Sequence, residues 1–299
     1  MQMRFLACPG QGSQTPGFLT PWLEEVDGFK SVLSDLSEAC GKDLVWLGTE
    51  ADEETIKDTA NSQPLIVGAS IAAYRTALAS FEIGGVVGHS VGEFAAGAIA
   101  GVFSDLDAMR LVAVRANAMA AAATKEPSSM AAVLGGELDE VLAAIAAAGL
   151  TPANYNGAGQ IVAAGSKSGV ELLLATPPAK ARVIELKVAG AFHTSFMAEA
   201  ESALRDAASS VSASDPAITL LSNRDGKSMT SGSEFLEQLI LQVSRPVRWD
   251  LCMVTLDEHH VQLVELPPAG ALAGLAKRGM PNSVAVALKT PEDLSKIEG

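Results

Sequence analysis

Residues 84–97 read GGVVGHSVGEFAAG, and inside them Gly88-His89-Ser90-Val91-Gly92 fits G-x-S-x-G. That spacing is how a strand turns sharply into a helix with a serine at the apex, its hydroxyl exposed and its backbone strained. Glycine is needed on both flanks because strand and helix pass too close there for side chains. The serine then lies at the carboxyl end of a sheet and the N-terminus of a helix. Free N–H groups and the helix dipole favour developing negative charge at such a place. Five residues of this pattern recur by chance. The β-prone GGVVGH before Ser90 and the alanine-rich helical stretch after it favour a nucleophile over an ordinary turn serine.

A serine hydroxyl needs a base, and the chain has four histidines: His89, His193, His259 and His260. His89 adjoins Ser90 at a strand end, so its ring is expected to point away and serve packing and hydrogen bonding. His259 and His260 lie in the polar stretch DEHHV and read as a solvated surface pair. His193, in VAGAFHTSFM, follows a strand and is framed by small residues and Phe192, which makes it the candidate base. Arg115 is the third conspicuous residue, a lone cation in an apolar, alanine-rich helix. Burying it unpaired is costly. It either snorkels, pairs with a carboxylate, or awaits an anion.

The elements that must position these groups follow from periodicity. RFLAC (4–8) is a strand ending in the glycine-rich loop PGQGSQTPG, which lacks the Lys and Ser/Thr of a phosphate-binding P-loop. Residues 62–81 read as a helix with Ser62 as a possible cap, and a second helix starts at Ser104, with Asp107 three residues on. From residue 127 to 190 the order becomes β-α-β-β-α-β within about 65 residues, the signature of a ferredoxin-like unit. Strands at 218–223, 261–267 and 284–289 resume the earlier alternation. The expected fold is therefore α/β: a large domain with a mostly parallel sheet, residues 1–126 and 191–299, carrying an inserted ferredoxin-like subdomain at 127–190.

Composition excludes several classes. The chain has 299 residues, 48% hydrophobic and 19% charged, long enough for one large core and an inserted second one. A net charge of −14 with no basic run argues against nonspecific nucleic-acid binding. Cys8, Cys40 and Cys252 are odd in number and far apart, so neither a disulfide framework nor a zinc site is expected, and a reducing cytoplasm fits. Few apolar residues precede Cys8, which argues against a lipoprotein signal. The apolar run 111–123 is too short for a bilayer, so no membrane segment is expected.

Taken together, PGQGSQ, GHSVGE, VRANAM, NGAGQIVAAG, GAFHTSFM, SNRDGK, RPVRWD and ELPPAGAL resemble the malonyl-CoA:acyl carrier protein transacylase family over nearly the whole chain. The resemblance implies an α/β-hydrolase-like large domain with a ferredoxin-like insert, and ping-pong acyl transfer. Ser90 would attack malonyl-CoA with His193 as base, and an acyl carrier protein thiol would collect the malonyl group. It further implies an oxyanion hole from the Gln11 and Val91 amides, a backbone carbonyl orienting His193, assigned to Arg248, and a carboxylate clamp at Arg115. Phe192 implies a malonyl-type pocket too crowded for an α-methyl branch, and Gln63 and Asn156 match pocket-lining positions. No resident cofactor is implied, since the coenzyme A thioester is a substrate, and the protein is expected to act as a monomer. The chain departs from many relatives at Ala116 and Pro267, where glycine is commoner. For carrier docking, two basic clusters are candidates: Lys180, Arg182 and Lys187, or Lys277 and Arg278. The rival readings are a serine esterase or thioesterase of α/β-hydrolase type, which needs an acid partner for the histidine, and a catalytically silent carrier-binding module.

Overall fold

A computed structural model describes residues 2–297. Nine strands are present among them: β1 Arg4–Cys8, β2 Gly85–Gly88, β3 Ser128–Gly135, β4 Thr151–Gly157, β5 Gln160–Ser166, β6 Ala181–Leu186, β7 Thr219–Leu221, β8 Gln262–Glu265 and β9 Val284–Ala287. They form two sheets. The first, in the order β7-β2-β1-β8-β9, is parallel throughout. Alternate residues of β1 serve different cores: Leu6 and Cys8 pack with the helices of the N-terminal half, while Phe5 and Ala7 pack with Leu256, Leu272 and Leu275. Helices therefore cover both faces, which is why the short strands read as almost continuously apolar.

The second sheet, in the order β4-β5-β3-β6, is antiparallel and is built wholly from residues 128–186. Helices Leu138–Ala147 and Lys167–Ala175 bury Val141, Ile145, Val170 and Leu173 in a core with Ala131, Val133 and Ile161 of that sheet. This is the β-α-β-β-α-β order expected of the insert. It is fastened to the larger unit where β4 exchanges hydrogen bonds with the segment ahead of helix Trp249–Glu258. Tyr155 N–H donates to the Val247 carbonyl and Val247 N–H to the Ala153 carbonyl, both at 2.9 Å. The attachment brings Asn154 and Asn156 of β4 and Gln160 of β5 to the same cavity as Gly10 and Ser90, which follow β1 and β2.

The expected helix at 62–81 starts earlier. It runs Thr59–Ala73, with the Asp58 carboxylate accepting the Ala60 N–H at 2.7 Å, and continues as a π-helical turn over Tyr74–Leu78. Ser62 is buried inside it rather than capping it. Ser104 does cap the long helix Asp105–Lys125, accepting the Asp107 N–H at 3.1 Å. No helix among the described residues is long and apolar enough to cross a membrane.

Candidate active site

Ser90 occupies the turn between β2 and helix Gly92–Ile99 with φ = 51°, a left-handed conformation rare outside glycine. The two glycines explain how the turn closes. A Cβ on Gly88 would lie 2.2 Å from the backbone of Gly92 and Glu93, and one on Gly92 would lie 2.1 Å from the Cys8 carbonyl oxygen. The elbow is tied to β1 by the His89 N–H, which donates to that same Cys8 carbonyl. Ser90 opens into a cavity of about 560 Å³. Gln11 and Val91 line it, and neither of their amides donates a hydrogen bond to another protein group among the described residues. Two N–H groups without a protein acceptor on the wall of the cavity that holds the hydroxyl are the kind of donors an oxyanion hole requires.

His193 reaches the same hydroxyl. Its Nε2 is 2.7 Å from Ser90 Oγ, although the two residues are 103 positions apart. His193 also has a positive φ, 61°, so nucleophile and base share an uncommon backbone conformation. That conformation is held by hydrogen bonds around it: Ala191 N–H to Ser128 Oγ, and Thr194 Oγ1 to the Ala191 carbonyl. On the ring's far side Nδ1 donates to the Gln242 carbonyl at 2.8 Å, which leaves Nε2 as the acceptor facing Ser90. The expected orienting group, the Arg248 carbonyl, does not do this. It accepts the Leu251 and Cys252 N–H groups at the start of helix Trp249–Glu258, while the Arg248 side chain pairs with Asp250 and stacks on Tyr155. Burial, and then the charge of Arg115, lower the His193 pKa to about 3, against the pull of the Gln242 carbonyl. The free ring is therefore a neutral base.

Arg115 projects from the long helix into this site and is 1% exposed. Nη1 donates to Gln63 Oε1 at 2.6 Å and Nη2 to Gln242 Oε1 at 3.0 Å, with Ser90 Oγ at 3.4 Å. The Phe94 ring lies 5.8 Å away, and Nε has no hydrogen-bond partner. No ion pair among the described residues involves it. Burial lowers its pKa only to about 10, so it remains a cation with neutral partners. The snorkelling and salt-bridged alternatives both fail on this geometry. A buried guanidinium hydrogen-bonded only to neutral groups, within reach of a nucleophile, has the chemistry to receive a carboxylate.

The family described as acyl transferase domain matches residues 5–291. Malonyl CoA-acyl carrier protein transacylases of Mycobacterium bovis and Mycobacterium tuberculosis are 50% identical over 297 residues, covering 98% of this chain and 98% of theirs. The chain belongs to the malonyl-CoA:acyl carrier protein transacylase family. The Escherichia coli K12 member is 32% identical over 96% of each chain. The crystal structure of MCAT from Mycobacterium tuberculosis matches with a TM-score of 0.94 at 50% identity, over 99% of this chain and 100% of that one. A malonyl-transacylase in complex with a type II PKS acyl-carrier protein matches with a TM-score of 0.91 at 27% identity, over 98% of each chain.

Within this transacylase fold the remaining expected residues divide. Phe192 is buried and lines the cavity. Gln63 lines it too, but its main contact is the short bond that aims Arg115. Asn156 accepts from or donates to His89 Nε2 at 3.0 Å, and His89 packs edge-on against Trp249, so His89 has the supporting role expected of it. His259 and His260 are exposed. Three site residues escaped the sequence reading. Asn223 accepts the Ser90 N–H at 2.7 Å and donates to the Gly88 carbonyl at 2.6 Å. Gln242 joins the His193, Arg115 and Ser90 environments. Glu93, 1% exposed, accepts from both Asn223 and Gln242. Asn223 and Glu93 lay inside motifs that carried the family resemblance. Gln242 looked like any polar residue near a helix end.

Proposed function

We propose that this protein transfers malonyl from malonyl-CoA to the phosphopantetheine thiol of an acyl carrier protein through a malonyl ester on Ser90. The observation that carries this reading is Arg115, buried and lacking a carboxylate partner 3.4 Å from the nucleophilic hydroxyl. His193 Nε2 takes the Ser90 proton as Oγ attacks the thioester carbonyl, and the Val91 and Gln11 amides receive the oxyanion. Collapse breaks the C–S bond, and the departing coenzyme A thiolate takes the proton from Nε2. The carrier thiol then enters, gives its proton to the same nitrogen and attacks the ester. A second collapse returns the oxygen and proton to Ser90. The malonyl carboxylate lies against Arg115 throughout, which also neutralises the charge that weakens His193 as a base. Phe192 beside the base crowds an α-branch.

Two features separate this from hydrolysis. His193 Nδ1 is held by a backbone carbonyl, and the nearby Glu93 carboxylate is occupied by Asn223 and Gln242, so among the described residues no acid completes a hydrolase triad. An ester attacked by a thiol has less need of one. The partner side is supported by three exposed cations on the cavity rim: Lys57, Lys187 and Arg278. One comes from each of the two expected basic clusters, and they suit the phosphates of both coenzyme A and the carrier's prosthetic arm. The test is intact-mass analysis after mixing with malonyl-CoA. A malonyl adduct on Ser90 that moves to added holo-carrier supports transfer. Rapid release of free malonate would establish a hydrolase, and no adduct a silent binding module.

A further inference from the structure

Glu93 takes no part in the steps above, yet it is a buried carboxylate one helical turn beyond the nucleophile. We propose that Glu93 is a positioning residue: its carboxylate dictates which way the Gln242 side-chain amide faces, and so keeps Arg115 aimed at the acyl carboxylate without quenching it. This rests on the reading of Arg115 as the malonyl receptor.

The hydrogen bonds leave one arrangement. Glu93 Oε1 accepts the Asn223 backbone N–H at 2.7 Å and Oε2 accepts Gln242 Nε2. When ionised, this carboxylate can only accept, and the Gln242 amide then turns its NH2 to Glu93 and its oxygen the other way. That oxygen, Oε1, accepts Arg115 Nη2 at 3.0 Å. Turning the amide over would set its NH2 against the guanidinium and its oxygen against the carboxylate, two repulsive contacts in a dry site. Glu93 and Arg115 thus hold opposite ends of one neutral amide. A direct Glu–Arg pair would occupy the guanidinium. The interposed amide lets the negative charge stabilise the buried cation while Arg115 stays open to a ligand. Gln242 Nε2 also reaches the Ser90 carbonyl at 3.0 Å, and Asn223 holds the Ser90 N–H, so the clasp ends on the elbow itself. Burial pushes the Glu93 pKa up to about 7, opposed by Asn223, Gln242 and Arg115.

Glu93→Gln tests this at pH 8, with malonyl-CoA and acetyl-CoA as separate donors. Its single oxygen goes to the Asn223 N–H, and its NH2 confronts that of Gln242. We expect kcat/KM for malonyl-CoA to fall about ten- to a hundredfold, as misplacement of a binding group does. The acetyl reaction, which makes no use of Arg115, should fall far less, so the malonyl-over-acetyl ratio drops about tenfold. An equal loss with both donors, or no loss, overturns the proposal. In a Gln242→Met background the same substitution should leave the ratio unchanged, and full additivity would contradict action through Gln242. If Glu93→Gln does not fold, Gln242→Met alone should lower the ratio by the same order, and an unchanged ratio overturns the idea. A wild-type protein without malonyl preference refutes the functional reading instead. The crystal structure of the Glu93 variant then decides the positioning claim, by whether the Gln242 amide has turned and lost Arg115.

Discussion

Ser90 and His193 meet at 2.7 Å, and both have left-handed backbones, but different forces hold them there. The Ser90 side is fixed first by backbone against backbone, Gly88 on the start of the elbow helix and Gly92 on the Cys8 carbonyl, with the Asn223 and Gln242 side chains added on the Ser90 amide and carbonyl. The backbone contacts have nothing flexible to give way. The His193 side is fixed by separate hydrogen bonds, Ala191 N–H to Ser128 Oγ, Thr194 Oγ1 to the Ala191 carbonyl and Nδ1 to the Gln242 carbonyl, and the first two rest on hydroxyls that can each be removed alone. The lesson is that the nucleophile is placed by sterics and tolerates almost no change. The base is placed by polar contacts and should weaken in steps.

The largest effect belongs to the steric side. Gly92→Ala puts a methyl 2.1 Å from a carbonyl oxygen, and denaturant unfolding should show a loss of about 3 kcal/mol or more, with acylation abolished. Near-normal stability would show that the elbow can relax after all. Next comes Arg115→Ala. Losing the partner of a buried charge costs roughly 3–5 kcal/mol. Discrimination between malonyl-CoA and acetyl-CoA, measured as the ratio of kcat/KM, should therefore shrink by about a hundred- to several-thousandfold. Full retention of preference contradicts the clamp.

Smaller effects probe the base. With its pKa held near 3 by burial and by Arg115, His193 should show no ring-proton titration by NMR between about pH 5 and 8. The sign follows for stability: the unfolded chain takes up a proton near pH 6.5 that folded His193 refuses, so this residue's contribution to stability falls as pH drops below about 6.5. In Arg115→Gln the His193 pKa should rise, since one cause of its depression is gone, and an unaltered value would show that Arg115 exerts no field there. Ser128→Ala should have the mildest effect. It leaves the Ala191 N–H without its acceptor, costs about 1 kcal/mol, and lowers acylation less than tenfold. A collapse of activity would mean the base is held as rigidly as the nucleophile.

This contrast also decides what could be read from the chain. The elbow was legible because its Gly-x-Ser-x-Gly pattern lies within five positions, although Gly92 meets the distant Cys8 carbonyl, and Arg115 because a cation among alanines is chemically out of place. The insert was legible because helix and strand periodicities alternate cleanly across residues 127–190. What failed depended on distant partners. The carbonyl that orients His193 belongs to Gln242, 49 residues away, and nothing in LILQVS marks one carbonyl as special. The Arg248 carbonyl does not orient His193 because it is consumed by the helix that begins beside it. Ser62 was a plausible cap beside Pro64, but Asp58 caps first and the helix absorbs the proline.

The most direct test is a crystal structure of the protein trapped as its malonyl-Ser90 ester. We predict that the ester's far carboxylate lies against the Arg115 guanidinium, its carbonyl oxygen faces the Val91 and Gln11 amides, and His193 Nδ1 stays on the Gln242 carbonyl. A malonyl group whose carboxylate points to solvent, with Arg115 still bound only to Gln63 and Gln242, would contradict the account.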